Sequence, residues 1–209
     1  MTRPVTRSGT TPGSTSRDLA LVAVFAGVVA ALGIVPAFTP PGFVVPITAQ
    51  TLGVMLAGSI LGARRGGLSM VLFLALVAAG LPLLAGGRGG LSVFVGASVG
   101  FLLCFPLAAV VIGWLSARAG PPYSLAWGVA SNVVGGILVV YAGGILGMAV
   151  VLDVSIETAF VANWVYLPGD AAKVVVAAFV ARGVHAAYPG LLGGSRSAEP
   201  AEPQDVASV

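Results

Sequence analysis

Asp170 and Lys173, in the segment LPGDAAK, are the residues of this 209-residue chain best placed to do chemistry. They stand alone in an otherwise uncharged stretch from Thr158 to Ala181. A spacing of three puts both on one face of a helix. In a membrane, each charge costs at least about 2.5–3.5 kcal/mol at mid-bilayer. Such residues face a bundle interior or a wet cavity, and they mark substrate sites by default. The competing reading is structural: Asp170 as a helix N-cap after Pro168–Gly169, with Lys173 neutralising it.

Other polar residues join the candidate list. Arg88 sits in GGRGG, where glycines permit positive φ and close backbone approach. An arginine there can present its planar fork to an anion such as a carboxylate, or simply occupy an exposed loop. Thr48, Gln50 and Thr51, in VPITAQTLGV, fall where a loop turns into a helix, and capping alone would explain Thr48. Asn132 and Tyr141 lie in an apolar run, where a buried amide can serve as interhelical glue. Trp164 and Tyr166 fit either an interfacial aromatic belt or a wall against a ring-shaped ligand. His185, three residues from Arg182, reads as interfacial. No His/Cys/carboxylate cluster has metal-ligand spacing, and Cys104 is alone. No Ser–His–Asp pattern or phosphate-binding loop appears. The sequence therefore implies no catalytic residue, no cofactor, no metal and no hydrolysis of ATP by this chain.

These residues need elements to hold them, and composition says where. Hydrophobic residues make up 57% of the chain and charged ones 8%, against about 25% charged in soluble domains. That excludes a cytosolic enzyme and a disordered scaffold. The net charge of +3 comes from dispersed arginines, so it does not argue for nucleic acid. An all-α integral membrane protein remains. Residues 1–17 and 193–209 are too polar and too rich in Ser, Pro and Gly to bury surface and should be disordered; residues 18–192 form the membrane domain. Within it, six transmembrane helices are expected: Leu19 to about Val35, Ala49–Leu61, Leu68 to about Leu84, Ser98–Ala117, about Leu125–Leu152, and Asp170 to about His185. The first reads as a span rather than a signal peptide, since further apolar runs follow and no clear cleavage site appears. Two apolar pieces fit no span: the segment 36–48, with four prolines, and the aromatic segment 153–169. Irregular backbone at membrane depth must be covered by protein or line a cavity, so both should fold over a ligand cavity on the outer side.

Basic residues favour cytoplasmic loops. With both termini inside, Arg3, Arg7, Arg17, Arg64, Arg65, Arg118, Arg182 and Arg196 are cytoplasmic and Arg88 is external; the reverse orientation places those eight outside. In the first helix, Ala23, Gly27 and Ala31 recur every four residues, and Ala26 and Ala30 form a second row. Small residues at that spacing allow close packing in lipid, within the bundle or against a partner.

VPITAQTLGVMLAGSILGARRG, then GLPLLAGGRGG, then LPGDAAK, in that order, resemble BioY, the biotin-specific substrate-binding (S) component of energy-coupling factor (ECF) transporters. The resemblance covers about Asp18 to His185. It implies a six-helix S component in the bacterial plasma membrane, binding biotin from outside and reorienting on a transmembrane T component driven by ATPase subunits. It implies a ligand set of Asp170, Lys173, Arg88, Gln50 and Thr48, with Phe94, Tyr141 and Trp164 as ring walls. It also implies docking on the T component through the small-residue face, at Ala26 and Ala30 with Ala23 and Gly27 beside them. The chemistry agrees. Biotin has a ureido head with two N–H donors and a carbonyl, a thioether ring and a carboxylate tail. Asp170 can accept from an N–H, and Lys173 can donate to the carbonyl or the carboxylate. An S component for another vitamin, or a solitary facilitator, is the alternative.

Overall fold

The structure, a computed structural model, describes residues 12–189. Helix α1 spans Pro12–Ile34, so helix begins inside the stretch expected to be tail; proline suits a first helical turn. The remaining tail residues, 1–11 and 193–209, lie outside the described residues. The other helices are α2 Gln50–Ala78, α3 Val99–Arg118, α4 Leu125–Asn132, α5 Val140–Leu152, α6 Ile156–Asn163 and α7 Leu167–Ala187. A π-helical turn, Val133–Val139, joins α4 to α5. A 3-10 turn, Trp164–Tyr166, joins α6 to α7. Extended pairing among the described residues is limited to two isolated bridges, Phe38 with Ile47 and Leu84 with Arg88.

Counted as continuous runs, five helices rather than six are long and apolar enough to cross a membrane: Thr15–Ile34, Gln50–Ala78, Val99–Arg118, Leu125–Leu152 and Ile156–Ala187. This corrects two expectations. The second and third expected spans belong to one helical run, α2. The ambiguous piece before Asp170 is helical and continues into α7.

Helix α2 cannot be straight. Its 29 residues would extend about 43 Å at 1.5 Å each. Yet the Gln50 side chain at its start lies 3.1 Å from the carbonyl oxygen of Leu83 and 3.2 Å from the amide of Ala85. The run folds back on itself at Gly62, whose φ of 80° and ψ of −179° are non-helical and belong to a region open essentially to glycine alone. The span boundary read at GARRGG is thus a glycine fold rather than a loop, and the two arms of the folded run, before and after Gly62, stand where the second and third spans were expected.

The α2 hairpin is the centre of the bundle. Phe73, Met55 and Met70 are fully buried in it, beside Val29 of α1 and Ile112 of α3. Asn132 is also fully buried. It accepts from Ser59 of α2 at 3.1 Å and donates to the Gly128 carbonyl at 2.9 Å, so it joins helices rather than meeting a ligand. At the same end, Arg65 pairs with Asp18 at 2.9 Å. His185 stacks on Tyr123 with centroids 4.9 Å apart and bonds the Ser59 carbonyl at 2.9 Å. Burial pushes the Tyr123 phenol above its usual value. Large apolar side chains such as Leu103, Leu138, Val150 and Phe179 point outward, which suits hydrocarbon surroundings.

The two small-residue rows of α1 separate. Ala26 is 2% exposed and sits in the core, with Ala30 partly buried against it. Ala26 therefore presents no docking face, which corrects that expectation, and Ala30 is left only partly open. Ala23, Gly27 and Ala31 form the exposed row.

Gly62→Ala should destabilise the protein by about 1–3 kcal/mol, the cost of a side chain in that backbone region. Gly27→Ala, on an open helix face, should be neutral or slightly stabilising. Thermal unfolding of the two purified variants in detergent measures the contrast.

Candidate functional site

The end of the bundle away from Arg65 and His185 holds a cavity of roughly 610 Å³, its open mouth included. Its polar centre is the Asp170–Lys173 pair, with Nζ 2.8 Å from Oδ1. Asp170 is 4% exposed. It is not an N-cap: α7 starts at Leu167, with Pro168 in its first turn. The carboxylate instead lies inside that turn, where the helix dipole favours a negative charge.

Every hydrogen of the Lys173 ammonium has an acceptor. It donates to the Thr48 carbonyl at 2.6 Å, to Thr51 Oγ1 at 3.0 Å and to Asp170 Oδ1 at 2.8 Å. The Thr51 hydroxyl donates its own proton to Asp170 Oδ1 at 3.1 Å. Tyr141 donates to Oδ2 at 2.8 Å. A buried charge pair is tolerable only when its remaining lone pairs and protons are met in this way. Three separate elements supply the partners. Thr48 and Thr51 flank the start of α2, and Thr48 Oγ1 accepts from the Gln50 amide at 3.3 Å. Tyr141 comes from α5, two residues past the end of the π-helical turn. A π turn widens the helix and rotates the residues beyond it, and such turns recur at functional sites. Gly135 and Gly136 let this one settle against Ile112 and Met55.

Apolar groups make the walls, chiefly Phe101, Leu102 and Phe105 of α3 and Val140 of α5. Val45, Pro46 and Ile47 form the roof. Tyr166 ties that roof down. Its hydroxyl donates to the Val45 carbonyl at 2.7 Å, and its ring meets Phe43 and Phe101 edge-on at 6.5 and 6.3 Å. The proline-rich segment therefore does fold over the cavity. Arg88 stands at the mouth in the turn closed by the Leu84–Arg88 bridge. Gly86, Gly87 and Gly90 there have φ of 79°, 69° and 80°. Its Nε donates to the Ala85 carbonyl at 3.2 Å.

Of the residues expected in the ligand set, the cavity brings together Asp170, Lys173, Arg88, Gln50, Thr48 and Tyr141. It does not include Phe94 or Trp164. Phe94 packs against the central core instead. Trp164 is 60% exposed and meets Phe160 edge-on at 6.2 Å, as an interfacial aromatic would. Tyr166 and Phe101 take the wall positions. Sequence spacing could have singled out Tyr166: it lies four residues before Asp170, on the same helix face, whereas Trp164 lies six before. Among the described residues no group of three or more His, Cys, Asp or Glu could hold a metal.

A helical membrane bundle around a cavity with a polar floor and apolar walls defines a multi-pass membrane protein with room for a small solute. The chain belongs to the BioY family, which it matches over residues 5–190. It is 44% identical over 180 residues to a biotin transporter BioY from Rhizobium etli, covering 83% of this chain and 96% of that one. It is 46% identical over 186 residues to a biotin transporter BioY from Rhodobacter capsulatus, covering 84% and 97%. A solved structure titled as the S-component for biotin from an ECF-type ABC transporter superposes with a TM-score of 0.80 at 28% identity, covering 85% of this chain and 95% of that one. The relatives are named as transporters, and the chain is a transport protein rather than an enzyme.

Lys173→Met alone strands the Asp170 carboxylate and should cost about 3–5 kcal/mol, the usual penalty for breaking a buried pair. Adding Asp170→Asn should recover most of that loss. Thermal unfolding without added ligand compares the single and double variants.

Proposed function

We propose that the chain binds biotin in this cavity and is the substrate-binding component for its uptake. The observation that carries the reading is the Asp170–Lys173 pair, with every ammonium hydrogen matched, at the floor of a chamber walled chiefly by apolar groups. The pair is neutral as a unit. Arg88 is the other charged residue lining the cavity, so the site carries one net positive charge and suits a monoanion. The ureido N–H donors meet Asp170 Oδ2 and the Tyr141 oxygen, beside Lys173, whose hydrogens are already spent on the protein. The bicyclic ring lies between Phe101, Phe105 and Tyr166. The carboxylate reaches Arg88, whose terminal nitrogens form a planar fork.

The names of the relatives support biotin as the solute, and the ECF setting of the solved structure supports a transmembrane T component and ATPase subunits as partners. On this reading the protein sits in the bacterial plasma membrane with both termini in the cytoplasm. The clustering of arginines at the end opposite the cavity supports that orientation. The exposed row Ala23, Gly27 and Ala31 is the docking face on α1.

Purified protein should bind biotin in preference to thiamin, whose positive charge opposes that of the cavity. Lys173→Ala should weaken biotin binding by at least about 30-fold, the equivalent of the 2 kcal/mol lower bound for truncating one partner of a buried charge pair. Calorimetry in detergent reads both, and unchanged affinity removes the pair from the site. Gly27→Trp should abolish biotin uptake by cells that also express a T component and ATPases, while the purified variant still binds biotin. Uptake that survives Gly27→Trp, or that needs no T component, would make the chain a solitary facilitator.

A further inference from the structure

Gln50 lines the cavity, yet its amide is already committed elsewhere. Nε2 donates to the Val29 carbonyl of α1 at 3.3 Å and to the Leu83 carbonyl at 3.1 Å. Oε1 accepts from the Ala85 amide at 3.2 Å. A primary amide has two donor hydrogens, so both are spent on backbone. The Leu83 carbonyl and the Ala85 amide flank residue 84, and the side chain meets them as the edge of a neighbouring strand would. Leu84 in turn donates to the Arg88 carbonyl at 3.0 Å, and Arg88 Nε donates to the Ala85 carbonyl at 3.2 Å. Gln50, Leu84 and Ala85 are all at least 97% buried, whereas Arg88 is exposed. Gly33 of α1 makes room for this junction: a Cβ there would strike the Leu83 carbonyl oxygen and crowd the Gln50 amide.

We propose that Gln50 is a positioning residue that does not touch the ligand. It anchors segment 83–85 to α1 and α2 and thereby fixes where the Arg88 guanidinium stands at the cavity mouth. The turn carrying Arg88 is otherwise built on glycines that impose little conformation of their own. An arginine held in place before the ligand arrives loses less freedom on binding. The inference rests on the reading of Arg88 as the carboxylate partner, and it makes the preference for an anionic tail depend on a residue remote from that tail.

Gln50→Met tests it, because methionine keeps the length and nearly the volume of the side chain while deleting its hydrogen bonds. Two ligands are compared on the purified full chain: biotin, and biotinamide, in which a neutral carboxamide replaces the carboxylate. Arg88→Ala should reduce the preference for biotin over biotinamide by about 10-fold, the scale of one charge-assisted hydrogen bond. Gln50→Met should reduce the same ratio by a comparable factor, and the double variant should show no further loss, since coupled residues are non-additive. A simple packing role for Gln50 would weaken both ligands alike and leave the ratio unmoved. Limited trypsin digestion gives a second readout. Cleavage after Arg88 should accelerate in Gln50→Met relative to cleavage after Arg118. If Arg88→Ala lowers the ratio and Gln50→Met does not, the positioning role is overturned and the carboxylate reading stands. If Arg88→Ala leaves the ratio intact, the carboxylate reading fails, and the positioning of the ligand's tail fails with it. In that case unchanged cleavage at Arg88 overturns the anchor as well, and faster cleavage retains only the anchor.

Discussion

A carboxylate and an ammonium kept ionised inside an apolar bundle set the terms for the rest of this structure. Neither can be left short of partners, because an unpaired polar group in low dielectric costs far more than the same group in water. The partners come from outside α7. Thr48 and Thr51 belong to the start of α2, and Tyr141 belongs to α5. Three helices must therefore meet in fixed register. The α2 hairpin delivers its N-terminal end to the right level, and the π-helical turn delivers Tyr141 to the right face. Gly62 and the Gly135–Gly136 pair are the small residues that make those two irregularities possible.

The division of labour in the cavity follows from the same constraint. A salt bridge that is neutral as a unit reads shape and hydrogen-bonding pattern, not net charge. On the proposed reading, charge preference falls to Arg88, on a glycine turn at the mouth rather than on a helix. The apolar walls come from α3 and α5, and the roof comes from a proline-rich segment held by one tyrosine hydroxyl. Precision is greatest at the floor, where helices set the geometry, and least at the entrance, where Gln50 and the Leu84–Arg88 bridge supply the order.

Much of this is legible in the sequence, and the failures have physical causes. Isolated charges in apolar surroundings identify Asp170 and Lys173 because the cost of burying them is large and admits few explanations. Four prolines in an apolar segment identify the roof. The helix count goes wrong at GARRGG because a span boundary read from charges and glycines looks the same whether the chain forms a loop or a sharp glycine fold. Phe94 and Trp164 look like ring walls when aromatic type is read without helical phase. Extending the 3.6-residue period back from Asp170 selects Tyr166 and rejects Trp164. That step needs the segment before Asp170 to be helix, and Pro168–Gly169 argues against it. Ala26 and Ala23 cannot be told apart by spacing, since two rows of small residues on one helix are equivalent until a neighbour covers one. The proposed role of Gln50 is beyond the reach of sequence, because its partners are backbone atoms far away along the chain.

The ion pair itself argues for a ligand. Replacing a buried salt bridge with well-packed apolar residues is commonly neutral or stabilising, so folding alone gives no reason to prefer Asp170 and Lys173 to two leucines. The surroundings sharpen the point. A purely structural pair is best sealed inside dense packing, but this one lines an open chamber with a tyrosine hydroxyl directed at the carboxylate. Beside it stand acceptor lone pairs on Asp170 Oδ2 and on Tyr141 that the protein does not fill with donors of its own. A guest whose head carries N–H donors fills those positions, and a guest without them leaves buried acceptors unmatched, the kind of mismatch from which strong discrimination arises.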